Sequence, residues 1–162
     1  MKTRHLIAFA AASLAASAAF AAPPAAFLRD AGMGDNSEIE LGRLAEQRGA
    51  SGAAKDAGRM LQRDHSASKQ AAAPLLRRFR VPPPAGVKPE ARAEMRRLQG
   101  LHGRAFDAEF ARFGVEEHQK DIAKFQAQAR TGDRDTAAYA RGQLPVLRNH
   151  LQMARDLMRT AR

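Results

Sequence analysis

The sequence lacks cysteine altogether and contains only one tyrosine among its 162 residues. Without cysteine the chain can form no disulfide, no thiolate metal site and no c-type haem attachment. With one tyrosine it also has few aromatic side chains to interleave with its basic residues, as proteins that bind single-stranded nucleic acid do. We therefore expect a fold stabilised by core packing alone, and we do not expect a nucleic-acid-binding protein.

Several catalytic motifs are also missing after residue 21. The chain has no Gly-x-Ser-x-Gly, no phosphate-binding loop, no His-Glu-x-x-His and no dinucleotide fingerprint. These absences argue against hydrolases and nucleotide-dependent enzymes, whereas catalysis of another kind stays open. No alternating run of β-branched residues is long enough to predict a sheet, so the fold class is all-α.

The N-terminus has the three parts of a secretory signal peptide. Lys2 and Arg4 precede an apolar run over residues 6–20, which ends in the small residues around Ala21. The run is shorter than the roughly 20 residues that a membrane-spanning helix needs. We predict a signal peptide over 1–21, cleavage after Ala21, and a soluble periplasmic domain over 22–162 with no membrane span.

Basic residues outnumber acidic ones, with 27 Lys and Arg against 17 Asp and Glu. Cleavage would remove two basic residues and no acidic one, which leaves 25 against 17 and a formal charge of +8. Such a charge favours anionic partners. An exported protein meets anionic lipid headgroups and cell-wall polymers rather than nucleic acid, so an anionic envelope surface is one predicted partner.

Glycine and proline divide the chain into helical stretches of 3.6-residue periodicity. The predicted helices cover residues 25–48, about 53–80, 89–99 and 104–130, and a last helix is capped by Asp133 or Asp135. The first should bend or restart near Ser37, because Gly32, Gly34 and the polar residues that follow them weaken its middle. Short turns predict antiparallel neighbours, and thus an up-down four-helix bundle with an extra short helix before the third long one.

Three histidines lie on the apolar stripes of three different helices, and each follows a polar residue. His102, beside a glycine-flanked break, is expected to be exposed. The first helix adds a carboxylate, and the stripe of the third long helix adds another. The candidate metal ligands are His65, His118, His150, Glu38, Asp64 and Asp107. Nitrogen and oxygen donors of this kind suit a divalent ion of iron, zinc, manganese or copper.

Two interpretations of these residues stand side by side. In the first, the histidines and carboxylates bind a metal ion. In the second, the histidines belong to a structural polar network, and a non-catalytic protein uses its basic surface to bind anionic lipid or polymer. A di-iron carboxylate centre is disfavoured, because it needs Glu-x-x-His spacing, whereas Asp64-His65 and Glu117-His118 are adjacent pairs.

Several of these segments resemble one family in the same order along the chain. They are Phe27-Leu28, the run from Ser37 to Ala45, Met60 through His65, Gly103 through Asp107, His118, Leu144-Pro145 and His150-Leu151. Together they resemble the exported bacterial proteins grouped as domain of unknown function 4142, which is related to the ferritin-like superfamily. The resemblance implies a ferritin-like helical bundle in the bacterial envelope and implies no particular activity.

Overall fold

The computed structural model describes residues 21–161, which contain five α-helices and no strand. The helices are α1 (Pro24–Arg48), α2 (Gly52–Arg78), α3 (Pro89–Gln99), α4 (Gly103–Thr131) and α5 (Arg134–Thr160). The all-α prediction is thereby confirmed. Apart from Ala21, the predicted signal peptide lies outside the described residues. Within 21–161, none of the helices combines the length and the apolar character that crossing a bilayer requires.

Helix α1 is continuous, so the predicted restart near Ser37 is wrong. Gly32 makes room for the proline-rich loop, because a Cβ there would lie only 2.6 Å from Cγ of Pro84. The Asn36 side chain then donates hydrogen bonds to the backbone oxygens of Pro84 (3.0 Å) and Gly86 (2.9 Å). These tertiary contacts outweigh the poor helix propensity of the segment.

The four long helices pack as two antiparallel pairs, α1 with α2 and α4 with α5. A three-residue turn joins α1 to α2, and Ser51 caps α2 by accepting a hydrogen bond from Ala54 N–H. Asp133 caps α5 in the same way, as the sequence predicted. Further contacts between α2 and α5 join the two pairs.

Two apolar clusters fill the interior. The first contains Leu41 of α1, Leu61 of α2, Phe106, Phe110 and Phe113 of α4, and Leu157 of α5. The second contains Phe27 and Leu28 of α1, Ala72 of α2, Phe125 of α4, and Tyr139 and Leu144 of α5. On each long helix, the residues between these two sets form the level at which the histidines lie.

The two clusters also give the direction of each helix. Both α2 and α4 run from the first cluster to the second, whereas α1 and α5 run the opposite way. The predicted up-down order therefore holds within each pair but not between α2 and α4, which are parallel. The long connection over residues 79–102, which includes α3, lets the chain return to the end from which α2 started.

Helix α3 covers one end of α4 and brings a buried acid with it. Leu98 is fully buried, and Glu94 lies beside Glu109 and Arg112 of α4. Burial and the neighbouring charge of Glu109 raise the pKa of Glu94 to about 7. The protonated form of Glu94 is thus favoured in the folded protein at mildly acidic pH.

This raised pKa predicts a loss of stability with rising pH. Between the ordinary glutamate value near 4.5 and about 7, the folded state binds a proton that the unfolded state has released. Stability should therefore fall across this window, because the folded protein loses its extra proton at Glu94. Glu94→Gln should lose less stability than the wild type between pH 5 and pH 8, as measured by urea unfolding.

Glu90→Gln, an exposed change on the same helix, is the matched control and should behave as the wild type does. Titrating groups other than Glu109, whose pKa depends on Glu94, are common to all three proteins and cancel in the comparison. An identical loss in Glu94→Gln and in the wild type would contradict the assignment.

Candidate metal centre

Three buried histidines from three helices meet between the two apolar clusters. His65 of α2, His118 of α4 and His150 of α5 are 5%, 2% and 0% exposed. Each offers one ring nitrogen, and these three nitrogens all lie within 4.8 Å of one another. His118 Nε2 and His150 Nδ1 are 3.3 Å apart. The structure thus brings together all three histidines that the sequence placed on apolar stripes.

The other nitrogen of each ring is held by an oxygen acceptor from the protein. The pairs are His65 Nδ1 with Asp35 Oδ1 at 2.9 Å, His118 Nδ1 with the Gly114 carbonyl at 2.9 Å, and His150 Nε2 with Asp64 Oδ2 at 3.0 Å. Hydrogen bonds of this type orient histidine ligands around metal ions and select their tautomers. Each ring therefore has one nitrogen engaged outside the cluster and one directed into it.

These hydrogen bonds determine where the lone pairs lie. A carbonyl and an ionised carboxylate only accept, so the neutral rings carry their protons on the outer nitrogens. When all three rings are neutral, the inner nitrogens of His65, His118 and His150 present lone pairs to one another. His65 Nε2 has no hydrogen-bond partner within the described part of the chain. Three converging lone pairs in a buried space are unfavourable unless a cation lies between them.

Burial keeps one of these rings neutral. It is the main cause that lowers the pKa of His150 to about 4, and the neighbouring histidines act in the same direction. Burial also opposes the ionised form of Asp64, but hydrogen bonds from His150 and Arg63 prevail and lower the pKa of that carboxyl. At neutral pH, His150 is thus a neutral ring that donates to an ionised Asp64.

Carboxylates around His65 make the centre attractive to a positive charge. Burial works against a charged His65 ring, but the hydrogen bond to Asp35 and the charges of Glu38, Asp35 and Asp121 raise its pKa. The same negative field favours a bound metal cation as it favours a proton. Asp35 and Glu38 are both only 5% exposed, so this field is weakly screened by water.

Small cavities flank the histidines on two sides. One, of about 20 Å³, is lined by Asp35, Asp64, His65 and Asp121 among others. The second, of about 10 Å³, lies between His118, Glu38 and apolar side chains. Each is close to the size of a single water molecule. A further ligand at the centre would therefore be a water, or Glu38 itself.

The carboxylates predicted from the sequence have different roles in the structure. Asp64 hydrogen-bonds to His150 across the helix interface and not to its neighbour His65. Asp107 lies outside the cluster, because its two oxygens accept hydrogen bonds from Ala50 N–H (2.8 Å) and Ser51 N–H (2.9 Å). It precedes His118 by three turns of α4, which is about 16 Å along the helix axis.

Two remaining residues that the sequence singled out are engaged elsewhere. His102 is exposed, as predicted, and its Nδ1 lies 3.2 Å from the guanidinium of Arg48. Glu117 pairs with Lys120 one turn further along α4. Neither belongs to the group of histidines that meets at the centre.

Asp35 is the residue of the candidate centre that the sequence did not indicate. Besides His65, it accepts a hydrogen bond from Ser68 Oγ at 3.0 Å, and Ser68 Oγ lies 2.8 Å from the hydroxyl of Tyr139. Burial and the charge of Asp35 raise the pKa of Tyr139, so the phenol stays protonated and donates to Ser68. The signal was its spacing, because Asp35 is seven residues after the buried Leu28 and therefore on the same face of α1.

Comparison with known proteins gives a family and no closer relative. The family described as domain of unknown function (DUF4142) matches residues 9–157, which is most of the chain. This match confirms the resemblance to that family. No curated protein and no solved structure matches at a significant level.

The buried contacts of Asp35 predict a measurable role in stability. Asp35→Ala would leave the His65 Nδ1–H and the Ser68 hydroxyl without an acceptor, at a cost on the order of 3 kcal/mol in the metal-free protein. Glu40→Ala, on an exposed part of the same helix, should change stability by less than about 0.5 kcal/mol. Urea unfolding followed by circular dichroism measures both. Equal stability of the two variants would contradict a buried hydrogen-bonded role for Asp35.

Proposed function

We propose that this chain, which belongs to the family described as domain of unknown function 4142, binds a metal ion through His65, His118 and His150. The observation that carries the proposal is the convergence of three lone pairs from rings whose outer nitrogens are all held by acceptors. In a hydrogen-bonded network that serves only packing, each acceptor faces a donor, and three acceptors directed at one point are unfavourable. A metal ion satisfies all three at once.

The distances fit an ion of the size of zinc or copper. Two metal–nitrogen bonds of about 2.0–2.1 Å at the tetrahedral angle place their nitrogens about 3.3 Å apart. That is the separation between His118 Nε2 and His150 Nδ1. The ligand nitrogens of all three rings lie within 4.8 Å of one another, so the His65 ring would approach by at most about 1.5 Å to reach this separation.

The donor set narrows the choice of metal. Imidazole nitrogen suits zinc, copper and iron, whereas manganese prefers carboxylate and water oxygen. Three neutral rings with one water or Glu38 complete a four-coordinate site, for which zinc and copper are the best candidates. The water-sized cavities beside the rings leave little space for an organic substrate, which favours binding of the ion over chemistry on a larger molecule.

The proposal includes export and a ferritin-like arrangement. The basic, apolar and small-residue pattern over 1–21 supports export to the periplasm. Parallel α2 and α4, joined by one long connection, support a ferritin-like four-helix bundle, in which one crossover of this kind is characteristic. The ligands differ from the carboxylate-rich set of di-iron bundles, so the function need not be the same.

The competing explanation is a proton in place of the metal. A proton shared between His118 and His150 would fit their 3.3 Å separation. The histidines would then be a structural polar network within the core. A proton on His65 is the other form of this explanation, because the neighbouring carboxylates raise the pKa of that ring. Under this alternative, the basic surface that binds anionic lipid or polymer would be the functional part of the molecule.

Elemental analysis distinguishes the two explanations. Untagged protein purified without chelators should contain close to one zinc or copper per chain, and a His65→Ala, His118→Ala, His150→Ala variant should contain none. Added metal should raise the melting temperature of the wild type, because binding at 100 times Kd adds about 2.7 kcal/mol of stability. His118→Ala should abolish that rise.

His102→Ala is the matched control, because His102 is exposed and outside the cluster. It should retain both the metal and the rise in melting temperature. If the wild type is purified without metal and gains no stability from added zinc or copper, the shared proton is the better explanation.

A further inference from the structure

A separate cavity lies between α1, the second half of α2 and the proline-rich loop that follows it. Its volume is about 400 Å³, within the range of sites that hold small organic ligands. Its walls are mainly apolar. The apolar residues in these walls include Leu28, Ala72, Ala73, Leu76, Val81 and Pro84.

Two cationic side chains, Lys69 and Arg77, border this apolar space. Within residues 21–161, neither forms an ion pair with a carboxylate, and Lys69 instead donates to the amide oxygen of Asn36. The neighbouring Arg78, by contrast, is paired with Asp135. Arg77 is thus a positive charge beside an apolar cavity without an acid to balance it.

Asp35, the one acidic residue in the cavity wall, does not pair with Arg77. Asp35 uses one oxygen for His65 and the other for Ser68. The same carboxylate thus separates the cavity from the histidine centre. A ligand in the cavity would meet a largely apolar surface with a positive border.

The loop wall is held in position before any ligand binds. Asn36 donates to the carbonyl oxygens of Pro84 and Gly86, and the absence of a side chain on Gly32 allows Pro84 to pack directly against α1. A preformed cavity avoids the entropy cost of ordering its walls on binding.

We propose that this cavity binds a single-chain anionic amphiphile of the fatty-acid type. The alkyl chain lies against the apolar walls, and the carboxylate is placed at Arg77. Apolar burial supplies most of the affinity, and the unpaired guanidinium selects for negative charge. A cavity of this volume accepts one alkyl chain rather than the two chains of a bilayer phospholipid.

Calorimetric titration of the full chain with monomeric decanoate tests the proposal. Decanoate should bind one site per chain, and decyltrimethylammonium, with the same chain length and opposite charge, should bind far more weakly. Arg77→Gln should weaken decanoate binding about threefold to fivefold, and added salt should weaken it in the wild type. Ala73→Trp, which places an indole in the cavity, should abolish binding.

Three controls make the result specific. Arg155→Gln removes an exposed charge from α5 and should leave the affinity unchanged. The triple histidine variant should also bind decanoate normally, so failure of the metal proposal would leave this one standing. Circular dichroism establishes that Ala73→Trp is folded, and Arg77→Gln, a surface change, provides the test if it is not.

Several outcomes would overturn the proposal. They are an absence of decanoate binding to the wild type, undiminished binding by folded Ala73→Trp, equal affinities of the Arg77→Gln and Arg155→Gln variants, and equal binding of the cationic amphiphile. Retention on anionic phospholipid vesicles without binding of monomeric decanoate would also overturn it, in favour of a membrane-facing surface.

Discussion

The arrangement of the interior depends on three imidazole nitrogens that meet in a space closed to bulk water. Each histidine is oriented by an acceptor on its far side, so its remaining ring nitrogen faces the other two rings. A buried polar atom without a partner costs on the order of 1–3 kcal/mol, and here the atoms also repel one another. A cation bound at this point, as proposed above, would turn the same contacts into a favourable interaction and would join α2, α4 and α5.

Helix α1, the one long helix without a histidine in the centre, contributes residues that orient the histidines of the other helices. Asp35 of α1 holds His65 and Ser68, and Ser68 continues the hydrogen bonds to Tyr139 of α5. All four long helices therefore meet in one polar layer between two apolar clusters. The apolar clusters supply the non-directional free energy of folding, whereas the polar layer fixes the register at which the helices pack.

The glycine and polar residues in the middle of α1 are explained by its two neighbours, the proline-rich loop and the histidine centre. Gly32 and Asn36 face the proline-rich loop, while Asp35 and Glu38 face the interior. A helix with better intrinsic propensity would lack both the close approach of Pro84 and the carboxylate behind His65. The same segment thus forms one wall of the amphipathic cavity and the outer support of the histidine centre.

The sequence by itself determined the all-α class, the bounds of most helices and the inward direction of His65, His118 and His150, because these depend on local periodicity and on glycine and proline. Only the tertiary structure decided that the three rings share one level, that Asp64 accepts a hydrogen bond from His150, and that Asp107 accepts hydrogen bonds from the turn between α1 and α2. It also decided that α1 is continuous and that α2 and α4 are parallel. Periodicity gives the face of a helix on which a residue lies, but relative height and partner depend on how separate helices pack, which is a non-local property.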